Sequence, residues 1–172
     1  LYYLNEETLF YRQLDEIITG DIVNPTIGSF TSRSEIKYGI KKRNVFAEDP
    51  LKYVLKTNLL KKYEFKKIFV DPIQNLLETE GISLKNQKHL TNGTQTSGDV
   101  FSMDNEFVAE IEKIIYSEIE QYRTRFKKDK EGFLVKWPID YHLHGWLISM
   151  NNGGKLSPHI HDTGWISGTI YI

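Results

Sequence analysis

The chain contains no cysteine, which excludes disulfides, thiolate catalysis and any zinc or iron-sulfur site that depends on sulfur ligands. A bound metal must therefore be held by histidine and carboxylate. An excess of charge is missing too: 22 lysines and arginines stand against 23 aspartates and glutamates. With no net field to attract nucleic acid or an anionic membrane, neither is expected as a partner. The basic runs Lys41-Lys42-Arg43 and Lys127-Lys128-Asp129-Lys130 read as solvated surface. No apolar stretch approaches the roughly 20 residues of a membrane span. The first residues lack the basic, apolar and small-residue series of a signal peptide. Together these absences describe a soluble cytoplasmic protein. The chain opens on Leu1 rather than methionine, so a preceding targeting segment stays open.

What is present suffices for a core. At 172 residues and 40% hydrophobic content, the chain is long enough to hide roughly 70% of its unfolded surface. From Asn5 to Ile18, apolar residues at Leu9, Phe10, Leu14, Ile17 and Ile18, with Gly20 behind, predict a capped amphipathic helix. Asp21 to Ser34, broken by Asn24-Pro25 and Gly28, reads mostly as connection. Helix is expected again between Ser34 and Lys42, and after Asp49-Pro50 through Leu51, Val54, Leu55, Leu59 and Leu60. Phe65 to Val70 fits strand or helix, and Asp71-Pro72 opens a further helix through Ile73, Leu76 and Leu77 to Gly81.

The Thr-rich tract Asn86 to Val100 reads as a surface connector. The longest periodic segment starts at Asp104 and carries Phe107, Val108, Ile111, Ile114, Ile115, Ile119 and Tyr122 on one stripe. Near residue 130 the composition changes. Phe133 to Trp137, Leu143 to Met150 and Trp165 to Ile172 are β-rich. The expected fold class is α+β, with residues 1–130 a mainly helical flank and residues 131–172 a sheet.

The residues that bear chemistry lie late in the chain. A strand places residues i and i+2 on the same face, so His159-Ile160-His161 can direct two imidazoles at one metal ion. Asp162 is the nearest carboxylate. On a regular strand it points away from the histidines, and it joins them only where the chain turns, which Thr163-Gly164 permits. Spacing alone leaves a metal site and a pair of hydrogen-bonded histidines both open. His142-Leu143-His144 has the same spacing and obeys the same rule, although those rings can equally pack beside Tyr141 and Trp146. His89, between Lys88 and Leu90, reads as surface.

Four stretches carry a resemblance. These are His144-Gly145-Trp146-Leu147-Ile148-Ser149-Met150, Gly153-Gly154-Lys155-Leu156, Pro158-His159-Ile160-His161-Asp162, and Gly164-Trp165-Ile166-Ser167-Gly168-Thr169-Ile170-Tyr171-Ile172. Together they resemble the 2-oxoglutarate- and Fe(II)-dependent oxygenases that often follow tetratricopeptide repeats in bacteria. Gln95 to Phe101 and Asp49 to Val54 resemble stretches upstream of that core, so the similarity extends from about residue 25 onward.

The resemblance implies a double-stranded β-helix of the jelly-roll or cupin-like kind, with the helical part packed on its first strands. It implies Fe(II) and 2-oxoglutarate as cofactors, dioxygen as co-reactant, and hydroxylation of a substrate the sequence does not identify. His159 takes the place of the family's first histidine. His161 stands where prolyl-hydroxylase relatives have aspartate, so either His161 or Asp162 completes that part of the shell. Tyr171 takes the place of a strand tyrosine near the cosubstrate. The distal histidine and the basic residue that pairs with the cosubstrate are expected beyond Ile172, which makes these 172 residues an incomplete, inactive part of that core. Two other readings stay open: a cupin-like metal-binding protein using His142, His144, His159 and His161 without 2-oxoglutarate, and a non-enzymatic interaction module.

Overall fold

The computed structural model describes residues 1–79 and 82–172, and the chain is α+β. In order it forms α1 (Glu7–Thr19), α2 (Pro25–Tyr38), α3 (Asp71–Glu78), β1 (Leu84–Lys85), β2 (Leu90–Thr96), α4 (Glu106–Arg125), α5 (Gly132–Val135) and β3 (Ile148–Leu156). The strands make one open antiparallel sheet in the order β1-β2-β3. No described helix is long and apolar enough to cross a membrane. By proximity the chain divides into two compact units. The first gathers Leu1–Leu55, Arg123–Ile139 and His161–Thr169, and the second Lys56–Tyr122, Asp140–Ile160 and Ile170–Ile172.

In the first unit, α1 forms as its periodicity predicts and buries Phe10, Tyr11 and Leu14 against Tyr2, Ile18, Ile27, Phe30 and Tyr38. The Tyr11 hydroxyl, inside this cluster, lies 3.3 Å from the Ser34 carbonyl and 3.2 Å from that of Ile40, both acceptors. The expected connection from Asp21 to Ser34 is instead most of α2. Its breakers act as start signals: the Asn24 side-chain oxygen accepts from the N–H groups of Thr26 (2.8 Å) and Ile27 (3.3 Å). Pro25 fills the first turn, where a missing N–H costs nothing. Gly28, inside the helix, is required by packing, since a Cβ there would lie 2.6 Å from the Phe46 Cβ.

Beyond Asp49-Pro50 the expected helix is only two 3-10 turns, Pro50–Tyr53 and Leu59–Lys61. Leu51, Val54 and Leu60 are exposed, so among the described residues the stripe is left uncovered, and Tyr53 is buried. Tyr53 joins an aromatic cluster. Its ring lies 5.0 Å from those of both Phe126 and Phe133, and Phe46 lies 5.4 Å from Phe133 and 5.3 Å from Trp165. The strand expected at Phe133 to Trp137 is replaced by α5, which places Phe133 in this cluster and leaves Val135 exposed. The Phe133 N–H donates to the Phe46 carbonyl at 3.0 Å. A Cβ on the preceding Gly132 would collide with the Val45 carbonyl oxygen, so glycine permits the two backbones to meet. The strand expected at Trp165 to Ile172 is also absent. Trp165 instead donates its indole N–H to the Phe133 carbonyl at 3.0 Å.

In the second unit, a π turn at Lys66–Val70 leads into α3 and buries Phe69 completely, stacked 5.0 Å from Phe65. The expected end of α3 at Gly81 lies outside the described residues. The helix read from Asp104 is α4, capped by the Asn105 side chain, which accepts from the N–H groups of Phe107 and Val108. The tract read as a surface connector contains β2, the central strand, and this is the largest correction to the sequence reading. Thr91, Thr94 and Thr96 suit a pleated surface as β-branched residues. Thr96 is fully buried, and its hydroxyl accepts from the Leu147 N–H at 3.0 Å while its own N–H donates to the Leu147 carbonyl.

The turn expected at Asn151 to Gly154 is absorbed into β3 as a wide bulge. Thr91 pairs with Lys155 and Gly93 with Met150, so two steps on β2 face five on β3. A Cβ on Gly93 would lie 2.6 Å from the Ser149 carbonyl, which explains glycine at this crossing.

An ionic contact ties α4 to the segment before α3. Lys62 bridges to Glu118 at 2.8 Å, and the Tyr63 hydroxyl donates to the same carboxylate at 2.8 Å. Partial burial works against the Glu118 charge, but the hydrogen bonds from Lys62 and Tyr63 and the Lys62 charge outweigh it and hold the pKa below its ordinary value.

Two stability tests follow from these contacts. Asn24→Ala removes the α2 cap and is expected to cost about 1 kcal/mol in urea unfolding. A folded-state carboxylate with a depressed pKa contributes stability above the ordinary glutamate range and loses it as pH falls through the depressed value. Melting temperature is therefore expected to drop below about pH 4.5, and Glu118→Gln to flatten that acid limb while lowering stability at pH 7.

Candidate metal centre

The sheet positions the first of the sequence-predicted ligands. Leu90 opposes Leu156 at the end of the β2–β3 ladder, and the pairing continues one residue further, where the Ser157 N–H donates to the His89 carbonyl at 2.8 Å. On the other side His89 is fixed by its own N–H, which donates to the Gln87 side-chain oxygen at 2.6 Å. Two residues past Ser157, the His159 ring turns back. Its Nδ1 lies 2.8 Å from the Ser157 carbonyl. A carbonyl oxygen only accepts, so Nδ1 carries a proton in this contact. A hydrogen bond of this kind to a backbone carbonyl is the one that orients metal-binding imidazoles. The His159 ring is parallel to that of His89, with centroids 5.2 Å apart and planes 5° from one another.

The strand geometry expected for His159 and His161 is not found, because β3 ends at Leu156 and residues 157–161 belong to no strand. The alternation rule therefore does not set the direction of these two rings. Instead the chain turns, with the Gly164 N–H donating to the His161 carbonyl at 3.1 Å and Asp162-Thr163 at the tip. The turn that Asp162 required in order to leave the strand pattern is thus present. In the first unit the Asp162 carbonyl also accepts from the Thr26 hydroxyl at 3.2 Å. His161 is half-buried and Asp162 exposed. Tyr171 is 84% exposed and lies outside any strand, so alternation gives it no shared face with Ser167 and Thr169. Among the described residues, no cluster of three or more histidines and carboxylates is arranged to hold a metal.

The second histidine pair has a different setting. His142 and His144 precede β3 and are exposed. His144 Nδ1 lies 3.5 Å from an Asp99 oxygen, and its ring meets Trp146 edge-on at 5.7 Å. The other Asp99 oxygen accepts the N–H of Gly145 at 2.8 Å and that of Phe101 at 3.2 Å. Asp99 therefore braces the backbone where the chain approaches β3, and His144 is a peripheral contact to it. A polar groove of about 410 Å³ in the first unit, walled by Arg43, Glu48, Lys52, Tyr53 and Asp129, contains none of the histidines. Within it Lys52 pairs with Asp129 at 2.8 Å, and the Tyr53 hydroxyl donates to the same carboxylate at 2.9 Å. Hydrogen bonds from both hold the Asp129 pKa below its ordinary value.

His89, read from the sequence as surface, is half-buried and stacks on His159, which is 70 positions away. Only recognition of β2 as a strand paired to β3 brings the two rings together. No family model matches the chain, and comparisons with curated proteins and with solved structures gave no match.

Asp99→Ala, which leaves two partly buried N–H groups without their acceptor, is expected to cost about 1–3 kcal/mol. His144→Ala removes one long contact on a side chain that is 59% exposed, and is expected to change stability by less than about 0.5 kcal/mol. Chemical denaturation of the two variants checks the contrast.

Proposed function

We propose that the chain belongs to a 2-oxoglutarate- and Fe(II)-dependent dioxygenase that hydroxylates a substrate, with β2 and β3 forming part of a double-stranded β-helix of the jelly-roll or cupin-like kind. The observation that carries this reading is the combination His159-x-His161-Asp162 with Trp165-x-Ser167-Gly168-x-x-Tyr171. Each half alone is weak. The donor set suits the metal: imidazole and carboxylate are the ligands that open-sited non-haem iron uses, and cysteine is absent.

In this reading His159 is a ligand whose ring is oriented by the hydrogen bond from its Nδ1–H to the Ser157 carbonyl. His161 or Asp162, carried on the turn that follows, supplies the second protein donor. Tyr171 contributes a hydroxyl toward a cosubstrate carboxylate. Bound iron with 2-oxoglutarate supplies the dioxygen chemistry, in which the cosubstrate becomes succinate and carbon dioxide as a carbon-hydrogen bond of the substrate is hydroxylated. The chain's share is orientation of the ligands and exclusion of water.

The test has two arms. Under anaerobic conditions the 172-residue chain is expected to take up Fe(II), with uptake reduced at least tenfold by His159→Ala. A form that continues to the distal histidine and basic residue is expected to release succinate from 2-oxoglutarate in air, and the 172-residue form to release none. Iron uptake lost through His142→Ala and His144→Ala instead would favour the cupin-like alternative. No uptake and no succinate in either form would overturn the proposal.

A further inference from the structure

We propose that Asn152, in the β3 bulge, is a site of spontaneous deamidation, at which its side-chain amide is converted through a cyclic imide to aspartyl and isoaspartyl products. The inference is independent of the oxygenase reading.

The chain holds two Asn-Gly steps, Asn92-Gly93 and Asn152-Gly153, and the β2–β3 pairing sets them opposite each other in the second unit. Glycine after asparagine favours the imide, because no side chain shields its backbone nitrogen and its backbone is conformationally free. Both asparagines are exposed. Their backbones differ. Gly93 is a ladder residue opposite Met150, and a Cβ on it would lie 2.6 Å from the Ser149 carbonyl oxygen, so the neighbouring strand packs closely around it. Residues 151–154 have no partner on β2, because the register passes from Met150 opposite Gly93 to Lys155 opposite Thr91. There the chain doubles back, with Gly153 at a φ of 76° and a Cβ on Gly154 only 2.8 Å from the Asn151 carbonyl oxygen. Among the described residues β3 is also an edge strand, so no further strand covers its other side.

The chemistry needs only water. The Gly153 backbone nitrogen gives its proton to a solvent base and attacks the Asn152 side-chain carbonyl carbon. A new carbon-nitrogen bond closes a five-membered imide, and the bond to the side-chain nitrogen breaks, releasing ammonia. Water then opens the ring. Opening at the side-chain carbonyl gives aspartate, and opening at the main-chain carbonyl gives isoaspartate, which lengthens the backbone by one carbon. In the bulge, closing the ring breaks no ladder pairing. At Asn92 it requires β2 to open locally from β3, and the reaction is slowed by the factor by which the paired form outnumbers the open one.

Incubation of the 172-residue chain at mildly alkaline pH, followed by proteolysis and tandem mass spectrometry, provides the test. In the folded chain Asn152 is expected to gain the mass of the amide-to-acid change at least about tenfold faster than Asn92, the ratio being set by local opening of the ladder. In urea that unfolds the chain, the two steps are expected to react at similar rates, which separates the effect of the fold from that of the dipeptide. Isoaspartyl methyltransferase is expected to label the aged parent and to label aged Asn152→Gln far less, since a glutamine at this position closes a six-membered ring more slowly. Circular dichroism establishes that the variant keeps the parent fold.

If Asn92 reacts as fast as Asn152 in the folded chain, or if Asn152 reacts only after unfolding, the proposal is overturned. If the preference for Asn152 persists undiminished in urea, it belongs to the local sequence, and the assignment to the bulge is overturned as well.

Discussion

The pairing of β2 with β3 is the constraint on which the second unit depends, because it joins segments almost sixty residues apart and fixes which side chains meet at each end of the ladder. At one end Thr96 is wholly buried and exchanges two hydrogen bonds with Leu147, one through its hydroxyl. At the other, Ser157 donates to His89. Between them the Asn151–Gly154 bulge absorbs the mismatch in length, with Gly153 at a φ of 76° and Asn92 opposite it at 52°. Bulges are sites where a strand re-aims its side chains. Beyond this one the chain leaves β3 in the register that sets His159 beside His89.

The first unit follows a different logic, in which aromatic packing rather than a ladder fixes the backbone. Phe46, Tyr53, Phe126, Phe133 and Trp165 come from distant parts of the sequence and converge ring on ring. Backbone hydrogen bonds run through the same cluster, from Phe133 to Phe46 and from the Trp165 indole to Phe133. Trp165 is thereby held in place three residues past Asp162.

The sequence was legible where local signals and tertiary outcome agreed. The α1 stripe and Gly20 stop, the α4 stripe, and the helical reading after Asp71-Pro72 all rest on contacts within one helix face, which periodicity reports directly. The reading failed where a local signal had two meanings. Asn24-Pro25 served as a cap and first turn rather than a break. Phe133 to Trp137 has strand composition, but Phe133 is taken up by the aromatic cluster. The Thr-rich β2 lacks an apolar alternation because its two buried residues, Gln95 and Thr96, are polar and consecutive, and a strand paired on both sides is stabilised by its backbone ladder as well as by side-chain burial. At the candidate site, the motif pointed to His159, His161 and Asp162, while the stacking of His89, read as surface, on His159 could not be foreseen. A contact across some 70 residues leaves no trace in the spacing of either partner.

The location of the histidine pair also bears on why a motif drawn from a strand can survive outside one. Alternation is one way to aim two side chains at a common point, and it requires a continuous ladder. Here the chain has left the ladder by His159, yet the imidazole is still directed, because a single hydrogen bond from its own Nδ1 to the Ser157 carbonyl replaces the pleat as the orienting device. The ring beside it comes from the neighbouring strand, whose end lies within one hydrogen bond, and His89 stacks there on His159. The placement of these two rings thus depends on where two strands stop rather than on how one of them alternates.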